Sequence, residues 1–281
     1  MKGFSALWLP GTDHAGIETQ FVFEKKLKAL GKSRLDFDRE TLYKKIYEYV
    51  EEHRGGIQKQ LRRLGFSLDW SREKYTLDPD IVKLVHKTFK KMYDDGLVYR
   101  DYKLVNYCTF DGTSFSDLEV VNVEKEGTLY YIKFPLKEGG FITIATTRPE
   151  TLVGDVAVMV NPKDKRYKKL IGKTAVLPIV DRVIPIIAEE YVDMKFGTGA
   201  VKLTPSHDFN DFEIAKKHNL TFPSVIGQDG KMKNTKIIDG LYVRQARVKV
   251  VEVLKENNLL EKKEKHKMIL RICYKCKNVL E

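Results

Sequence analysis

The sequence predicts a mixed α/β chain in two parts, a mainly helical first hundred residues and a β-rich unit from about residue 122. Three observations predict it. Apolar residues recur at helical spacing between Leu42 and Leu64. From about residue 122 the texture changes to short β-type runs punctuated by Gly and Pro. Helical patterns then return after those runs, which argues for a separate, compact β-rich domain.

The elements follow in order. Ala6 to Pro10 is a short apolar run ahead of a Gly-Thr-Asp turn, and suits a buried parallel strand that ends at a site. Leu42, Ile46, Val50, Ile57, Leu61 and Leu64 share helical spacing, interrupted by Gly55-Gly56. Asp78-Pro79 opens another helix with Ile81, Val85, Phe89 and Met92 in one stripe, and Gly96 stops it. Leu129–Leu136 and Phe141–Thr147 read as strands joined by a Lys-Glu-Gly-Gly hairpin. Further β runs cover Asp155–Val160, Thr174–Ile187 and Gly199–Thr204. Helices are expected at Asp208–His218 and Val243–Asn257, the latter with Val243, Ala246, Val250 and Leu254 on one face. The EKKEKHK run at 261–267 reads as a solvated connection.

With 42% hydrophobic and 32% charged residues, the composition is that of a globular domain. No apolar run approaches the roughly 20 residues needed to span a bilayer, so no membrane partner is expected. The start, MKGFSALWLPGTDH, does not read as a signal peptide. Three cysteines at unpaired spacings favour a reducing, cytoplasmic compartment. A net charge of +11 suits a polyanionic partner, and equally a surface rich in solvated lysines.

Chemistry concentrates in two segments. In GTGAVKLTPSHDFNDFEIA, residues 197–215, Gly197 and Gly199 permit close backbone approach, and Lys202 and Thr204 point the same way along a strand. Asp208 and Asp211 stand three apart at a helix start, so both carboxylates can face one site. Taken alone, this segment reads more simply as an N-cap Asp208 with a solvated Asp211. The second segment, ATTRPETLVGDVAV at 145–158, sets Thr146, Arg148 and Thr151 around Pro149, with the acids Glu150 and Asp155 close by. So many polar groups are costly to gather in one β-rich core by accident, although an exposed threonine-rich strand is the alternative.

Together the two segments resemble the editing domain of the class I aminoacyl-tRNA synthetases for valine, isoleucine and leucine. Thr146-Thr147-Arg148-Pro149-Glu150-Thr151 matches the family's threonine-rich signature, and Gly197 through Asp211 its second one. Pro10-Gly11-Thr12-Asp13-His14-Ala15-Gly16-Ile17 and Ala200-Val201-Lys202-Leu203-Thr204 fit the valine branch, where isoleucine enzymes carry histidine at the lysine's position. The likeness covers essentially the whole chain, including Leu64-Gly65 to Asp69-Trp70 and Gly96 to Arg100. Glu18 departs from it, standing where the family has a small residue.

The resemblance implies an incomplete Rossmann-type catalytic lobe (1–121), an inserted β-barrel-like editing domain (122–266) and a return segment (267–281). It implies ATP-dependent attachment of valine to its tRNA by the whole enzyme, and hydrolysis of mischarged Thr-tRNA by the inserted domain. Thr146, Arg148, Thr151, Lys202, Thr204, Asp208 and Asp211 would line the hydrolytic site. Asp13 would bind the valine ammonium in the synthetic pocket beside Pro10, although a turn aspartate capping the next helix is the simpler reading of Asp13 alone. Partners would be tRNA with valine or threonine as its aminoacyl group, and the parent would be a cytoplasmic monomer. His207 and His218 are expected to be structural.

Cys273-Tyr-Lys-Cys276 alone suits a zinc half-site, a redox pair or coincidence. The family carries paired knuckles, and here the first would be Cys108-Thr-Phe-Asp111, a Cys₃Asp set acceptable to structural zinc. The family's His-x-Gly-His and Lys-Met-Ser-Lys-Ser ATP-binding motifs do not occur in this sequence. The expected result is that this polypeptide alone supports no valine-dependent ATP–pyrophosphate exchange, and measurable exchange would overturn it. A free-standing aminoacyl-tRNA deacylase, an isoleucine or leucine relative, and a non-enzymatic zinc-ribbon RNA-binding module are the competing readings.

Overall fold

The helical periodicity of the first part is realised in α1 (Gly16–Ala29), α2 (Arg39–His53), α3 (Gly56–Arg63) and α4 (Pro79–Asp94), in a computed structural model that describes residues 3–281. Asp38 caps α2 by accepting from the Thr41 amide at 2.9 Å. The break between α2 and α3 falls at Gly55, whose φ of 88° is open to glycine and costly to residues with a Cβ. Pro79 opens α4, where its missing N–H is no loss, and Gly96 follows the helix at φ 73°. The Ile81–Met92 stripe forms on α4 but is largely uncovered, with Val85 and Phe89 exposed.

The strand expected at Ala6–Pro10 is not there. Among the described residues up to Asp101, parallel pairing is confined to β1 (Gly11–Thr12) against β2 (Lys74–Tyr75), and Phe4, Leu7, Trp8 and Leu9 are exposed. A parallel strand is stable when both of its faces are covered. Among the described residues only this two-residue partner is offered. The apolar run therefore stays extended, its carbonyls at Trp8 and Pro10 taking the Asp69 and Lys74 amides at 2.9 and 3.2 Å.

Residues up to Asp101 form one compact unit and Tyr102–Glu281 another. The second unit begins with the small hairpin β3 (Asn106–Cys108) and β4 (Thr113–Phe115), followed by the long β5 (Val120–Pro135) and β6 (Phe141–Thr146). Then come β7 (Ala157–Val160), β8 (Thr174–Leu177), β9 (Arg182–Ala188), β10 (Ala200–Leu203), α5 (Phe209–Lys217), α6 (Val243–Glu256) and β11 (Leu260–Cys273). One sheet runs β10-β7-β9-β8 with β7 and β9 parallel, and the other runs β11-β5-β6, antiparallel throughout. A single bridge, Leu136 to Ala175, joins β8 to the end of β5.

The EKKEKHK run is a strand rather than a connection. β11 pairs with β5 from Leu260–Ile132 to Cys273–Val120, setting Lys267 opposite Glu126. A ribbon wetted on both faces is held by its backbone ladder and by cross-strand polar pairs, such as Tyr131 Oη donating to Glu264 at 2.7 Å. It therefore carries no apolar alternation for a sequence reading to detect.

β7 shows why the second unit holds together. All four of its residues are buried, because each face meets a different core. Val158 and Val160 join Ile132, Phe134, Ile144, Ile186 and the α6 residues Ala246, Val250 and Leu254. Ala157 and Met159 join Leu203 on β10 with Ile214 and Ala215 of α5. The predicted face of α6 is thus the one that packs, while α5 covers the opposite side of the sheet and brings its N-terminus to the end of β10.

Candidate functional site

Two segments converge where β10 ends. After β6, Pro149–Gly154 winds into a tight 3₁₀ turn that is wholly buried. The Arg148 carbonyl holds its start, accepting from the Thr151 amide at 3.2 Å and the Thr151 hydroxyl at 3.1 Å. The Arg182 guanidinium holds its end, donating to the Asp155 carbonyl at 2.6 Å. Gly197 and Gly199, at φ 58° and 77°, shape the loop into β10; a Cβ on Gly197 would lie 2.8 Å from that of Ala145.

Lys202, on β10, points at this turn. Its Nζ donates to Thr151 Oγ1 at 3.0 Å and to Asp155 Oδ1 at 3.0 Å, and it also touches Thr204 Oγ1. Thr204 donates to the same Asp155 oxygen at 2.5 Å. Asp211, in the first turn of α5, accepts from the Thr204 amide at 2.7 Å. Thr151, Asp155, Lys202, Thr204 and Asp211 are all buried, and Asp155 Oδ2 finds no hydrogen-bond donor among the described residues. Buried polar atoms are nearly always satisfied, so a lone acceptor here marks a strained polar site.

The charges are correspondingly poised. Burial pushes the Asp155 carboxyl up to about 6 against the pull of Lys202 and the Thr204 hydrogen bond. Burial likewise raises Asp211 to about 7, with Lys202 opposing and Asp208 adding to the rise. Asp208 itself is exposed and caps α5, accepting from the Asn210 and Asp211 amides at 2.9 and 3.1 Å. The N-cap reading of Asp208 is therefore realised, whereas a solvated Asp211 is not. Thr146, at the end of β6, accepts from the Arg148 amide at 3.1 Å. Arg148 borders the cluster, its Nε donating to Glu150 Oε1 at 3.2 Å.

Sequence reasoning noted Glu150 and Asp155 but did not place them among the site residues, and it passed over Arg247. Glu150 is fully buried and takes Arg247 Nε and Nη2, each at 2.8 Å, on its two oxygens. Burial acts to raise this carboxyl, but the Arg247 bonds and both guanidinium charges outweigh it and hold it below its ordinary value. A helix-borne arginine nearly a hundred residues away leaves no local signal. His207 is pushed down to about 3 by burial, with Arg148 and Lys202 adding to the fall, and its Nε2 accepts from the Val225 amide at 3.1 Å. It is a neutral acceptor.

A second cluster gathers the cysteines. Cys108 at the end of β3, Asp111, Cys273 at the end of β11, and Cys276 set one ligand atom each within 4.8 Å of all the others. The Sγ atoms of Cys108 and Cys276 are 3.4 Å apart, and Asp111 Oδ2 lies 3.3 Å from Cys108 Sγ and 3.1 Å from Cys273 Sγ. Tetrahedral zinc at about 2.3 Å from sulfur would separate its donors by about 3.5–3.8 Å, so the set fits the ion once the close pairs open and the wider ones draw in slightly. The two turns are built alike. Gly112 donates to the Cys108 carbonyl at 2.8 Å and Lys277 to the Cys273 carbonyl at 3.0 Å, both at positive φ. The amides of Asp111 and Lys275 donate to the Cys108 and Cys273 sulfurs at 3.4 and 3.3 Å.

In the first unit, Asp13 is exposed and accepts from Thr76 Oγ1 at 3.0 Å; that bond leads the causes holding its carboxyl below the ordinary range. It does not cap α1, whose N-cap is Ala15. Pro10 is buried, its carbonyl accepting the Lys74 amide. A cavity of about 260 Å³ in this unit is lined by Arg54, Gly55, Gln58, Glu73 and Tyr75, none of them a site residue expected from sequence.

The structure thus gathers Thr151, Asp155, Lys202, Thr204 and Asp211 at a strand–helix junction, and Cys108, Asp111, Cys273 and Cys276 in a second cluster. The chain belongs to the class I tRNA synthetases: the family model described as tRNA synthetases class I (I, L, M and V) matches residues 1–272. It is 48% identical over 283 residues to the valine–tRNA ligase of Carboxydothermus hydrogenoformans, covering 100% of this chain and 32% of that protein. Against the valine–tRNA ligase of Aquifex aeolicus it is 48% identical over 300 residues, covering 100% of this chain and 26% of that one. The chain thus spans about a third or less of the length of these relatives. A solved ternary complex of Agrobacterium radiobacter K84 agnB2 LeuRS with tRNA and LeuAMS is 18% identical with a TM-score of 0.41, covering 82% of this chain and 38% of that one. No helix among the described residues is long and apolar enough to cross a membrane.

Proposed function

We propose that this chain is the editing-bearing region of a valine–tRNA ligase, and that its polar cluster hydrolyses threonine from valine tRNA. The observation that carries this is the buried set of Thr151, Asp155, Lys202, Thr204 and Asp211 around one point. Threonine and valine are nearly isosteric, so an apolar synthetic pocket separates them by only about a hundredfold. A site that bonds the threonine hydroxyl leaves its own polar groups unpaired when valine enters, and rejects it. Lys202 and Thr204 supply bonds to the hydroxyl, Asp211 and Asp208 supply negative charge for the ammonium, and Thr146, Arg148 and Thr151 line the opposite side. Water attacks the ester, which breaks to free threonine and the tRNA's terminal hydroxyl, aided by fixed hydrogen bonds rather than by a covalent nucleophile.

The whole enzyme would use ATP to attach valine to its tRNA as a cytoplasmic monomer, with Asp13 and Pro10 in the synthetic pocket. Residues 1–121 would belong to a Rossmann-type lobe, 122–266 to a barrel-like editing domain and 267–281 to the return segment. The test of the hydrolytic reading is the loss of threonine and of valine from valine tRNA in the presence of the purified chain. Fast loss of threonine alone, reduced about a hundredfold or more by Lys202→Ala, is expected. Equal loss of both amino acids, or full activity in Lys202→Ala, would remove the reading.

Cys108, Asp111, Cys273 and Cys276 would hold one structural zinc, which cross-links the two knuckles when bound. Burial pushes the Cys108 thiol up, so binding must release protons and weakens as pH falls. Metal analysis of protein purified without chelators should find about one zinc per chain, and Cys276→Ser should lose it together with several degrees of Tm. Clearly substoichiometric zinc in the unsubstituted protein rejects the assignment.

A further inference from the structure

The knuckle pair and the polar cluster are joined by one side chain. Between Cys273 and Glu281 the chain folds back on β11: the Cys273 amide donates to the Asn278 carbonyl at 2.8 Å and the Leu280 amide to the Arg271 carbonyl at 3.0 Å. Glu281 then exchanges backbone bonds with Tyr107 on β3, at 3.0 and 2.9 Å. The backbone of Glu281 is therefore clamped between the two segments whose cysteines make up the metal set, Cys108 on one side and Cys273 with Cys276 on the other. Its side chain leaves the knuckles and accepts from Arg148 Nη2.

That contact matters because Arg148 has little else to hold it. Among the described residues its Nε reaches only Glu150 Oε1, which also takes Arg247 Nη2 at 2.8 Å. The Arg148 carbonyl in turn fixes both the amide and the hydroxyl of Thr151, and that hydroxyl accepts from Lys202. We infer that Glu281 is a positioning residue for the hydrolytic pocket, through which the state of the cysteine knuckles sets the placing of Arg148 and Thr151. The inference rests on the hydrolytic reading above. It assigns no chemistry to Glu281, which meets the pocket only through Arg148.

The test uses the full chain as wild type, Glu281→Gln, Glu281→Ala, Cys276→Ser and the Glu281→Ala/Cys276→Ser double variant. Four quantities are measured: zinc content, Tm, kcat and KM for threonyl-tRNA hydrolysis, and amide hydrogen exchange across residues 146–152. Glu281→Ala should keep its zinc and nearly all of its Tm, while kcat falls about tenfold with KM little changed and exchange in 146–152 quickens. Glu281→Gln, which still offers an acceptor to Arg148, should stay within about threefold of wild type. Cys276→Ser should reproduce the loss and the faster exchange, and adding Glu281→Ala to it should cost nothing more. If Cys276→Ser does not fold, chelation of the wild type replaces it.

Multiplying losses in the double variant, or Glu281→Ala indistinguishable from wild type in kcat and exchange, would overturn the inference. A wild type that leaves threonyl-tRNA intact while exchange responds as described would overturn the hydrolytic reading and support the link. An active wild type with unchanged exchange in every variant would overturn the link alone.

Discussion

Glu150→Ala should cost about 3 kcal/mol of stability in the second unit, which for a domain of this size lowers Tm by roughly 6–12 °C. Glu150 is fully buried and is the shared partner of two guanidiniums, with Arg247 on both oxygens and Arg148 on one. Removing the carboxylate leaves Arg247 without its anionic partner and Arg148 with Glu281 alone, two positive charges beside a core that includes Leu152, Ala246 and Val250. Neither can be neutralised, since arginine keeps its proton at any pH of interest. The upper end of the usual cost is not reached, because Arg148 and Arg247 retain 27% and 34% side-chain exposure and can turn in part toward water. Glu150→Gln keeps the shape and one acceptor but points an amide N–H toward a guanidinium, so it should fall between. Thermal unfolding followed by circular dichroism measures both. A Tm within a degree of wild type for the alanine variant would mean that the ion network is dispensable and that apolar packing alone holds the Pro149–Gly154 turn.

How much of this was legible beforehand depends on whether a residue's partner lies close in sequence. The α2–α3 break at Gly55, the Asp78-Pro79 start and the face of α6 rest on local rules, and each forms where the spacing predicts it. The two polar segments were legible for the same reason, since each carries its own dense run of chemistry. What brings Lys202 onto Thr151 is the β10–β7 pairing, which lays Leu203 opposite Ala157 just beyond the turn. No local pattern encodes that register. Glu281 and Arg247 were invisible because their roles exist only through Arg148 and Glu150, 133 and 97 residues away. The two local misreadings have opposite causes. Ala6–Pro10 is apolar enough for a buried strand but is left largely exposed among the described residues, whereas 261–267 is too charged to look like a strand but has β5 as a ladder partner. Hydrophobicity reports what a segment could bury, and pairing reports what is there to receive it.

Asp211→Asn should sharply slow threonine hydrolysis and at the same time stabilise the protein above neutral pH. The Asp211 carboxyl is buried and pushed up to about 7, while in the unfolded chain it titrates near its ordinary 3.8. As pH rises, the unfolded chain gives up this proton first. Between about 4 and 7 the folded protein holds more protons than the unfolded one, and its stability falls across that window. The largest loss this single group can cause is about 4 kcal/mol, and about 2 is a sounder expectation once Lys202 has room to move toward the charge. Asparagine removes the ionisation but keeps an oxygen to accept the Thr204 amide, which aspartate takes at 2.7 Å. Its Tm gain should therefore be largest near pH 8 and shrink to almost nothing near pH 4. Hydrolysis should move the other way. A carboxylate needed for the substrate ammonium is present only above its own pKa, so the wild-type rate should rise through a midpoint near 7 beyond the ester's own sensitivity to base. The asparagine variant should lose about 30- to 1,000-fold and show no such midpoint. A Tm gain that does not depend on pH would place the benefit in packing rather than in charge. Retained hydrolysis would pass the ammonium to Asp208, the one other carboxylate at this helix start that water can reach. A stability gain together with the loss of activity would mean that this charge is held in the fold at a standing cost, which only the chemistry at the site accounts for.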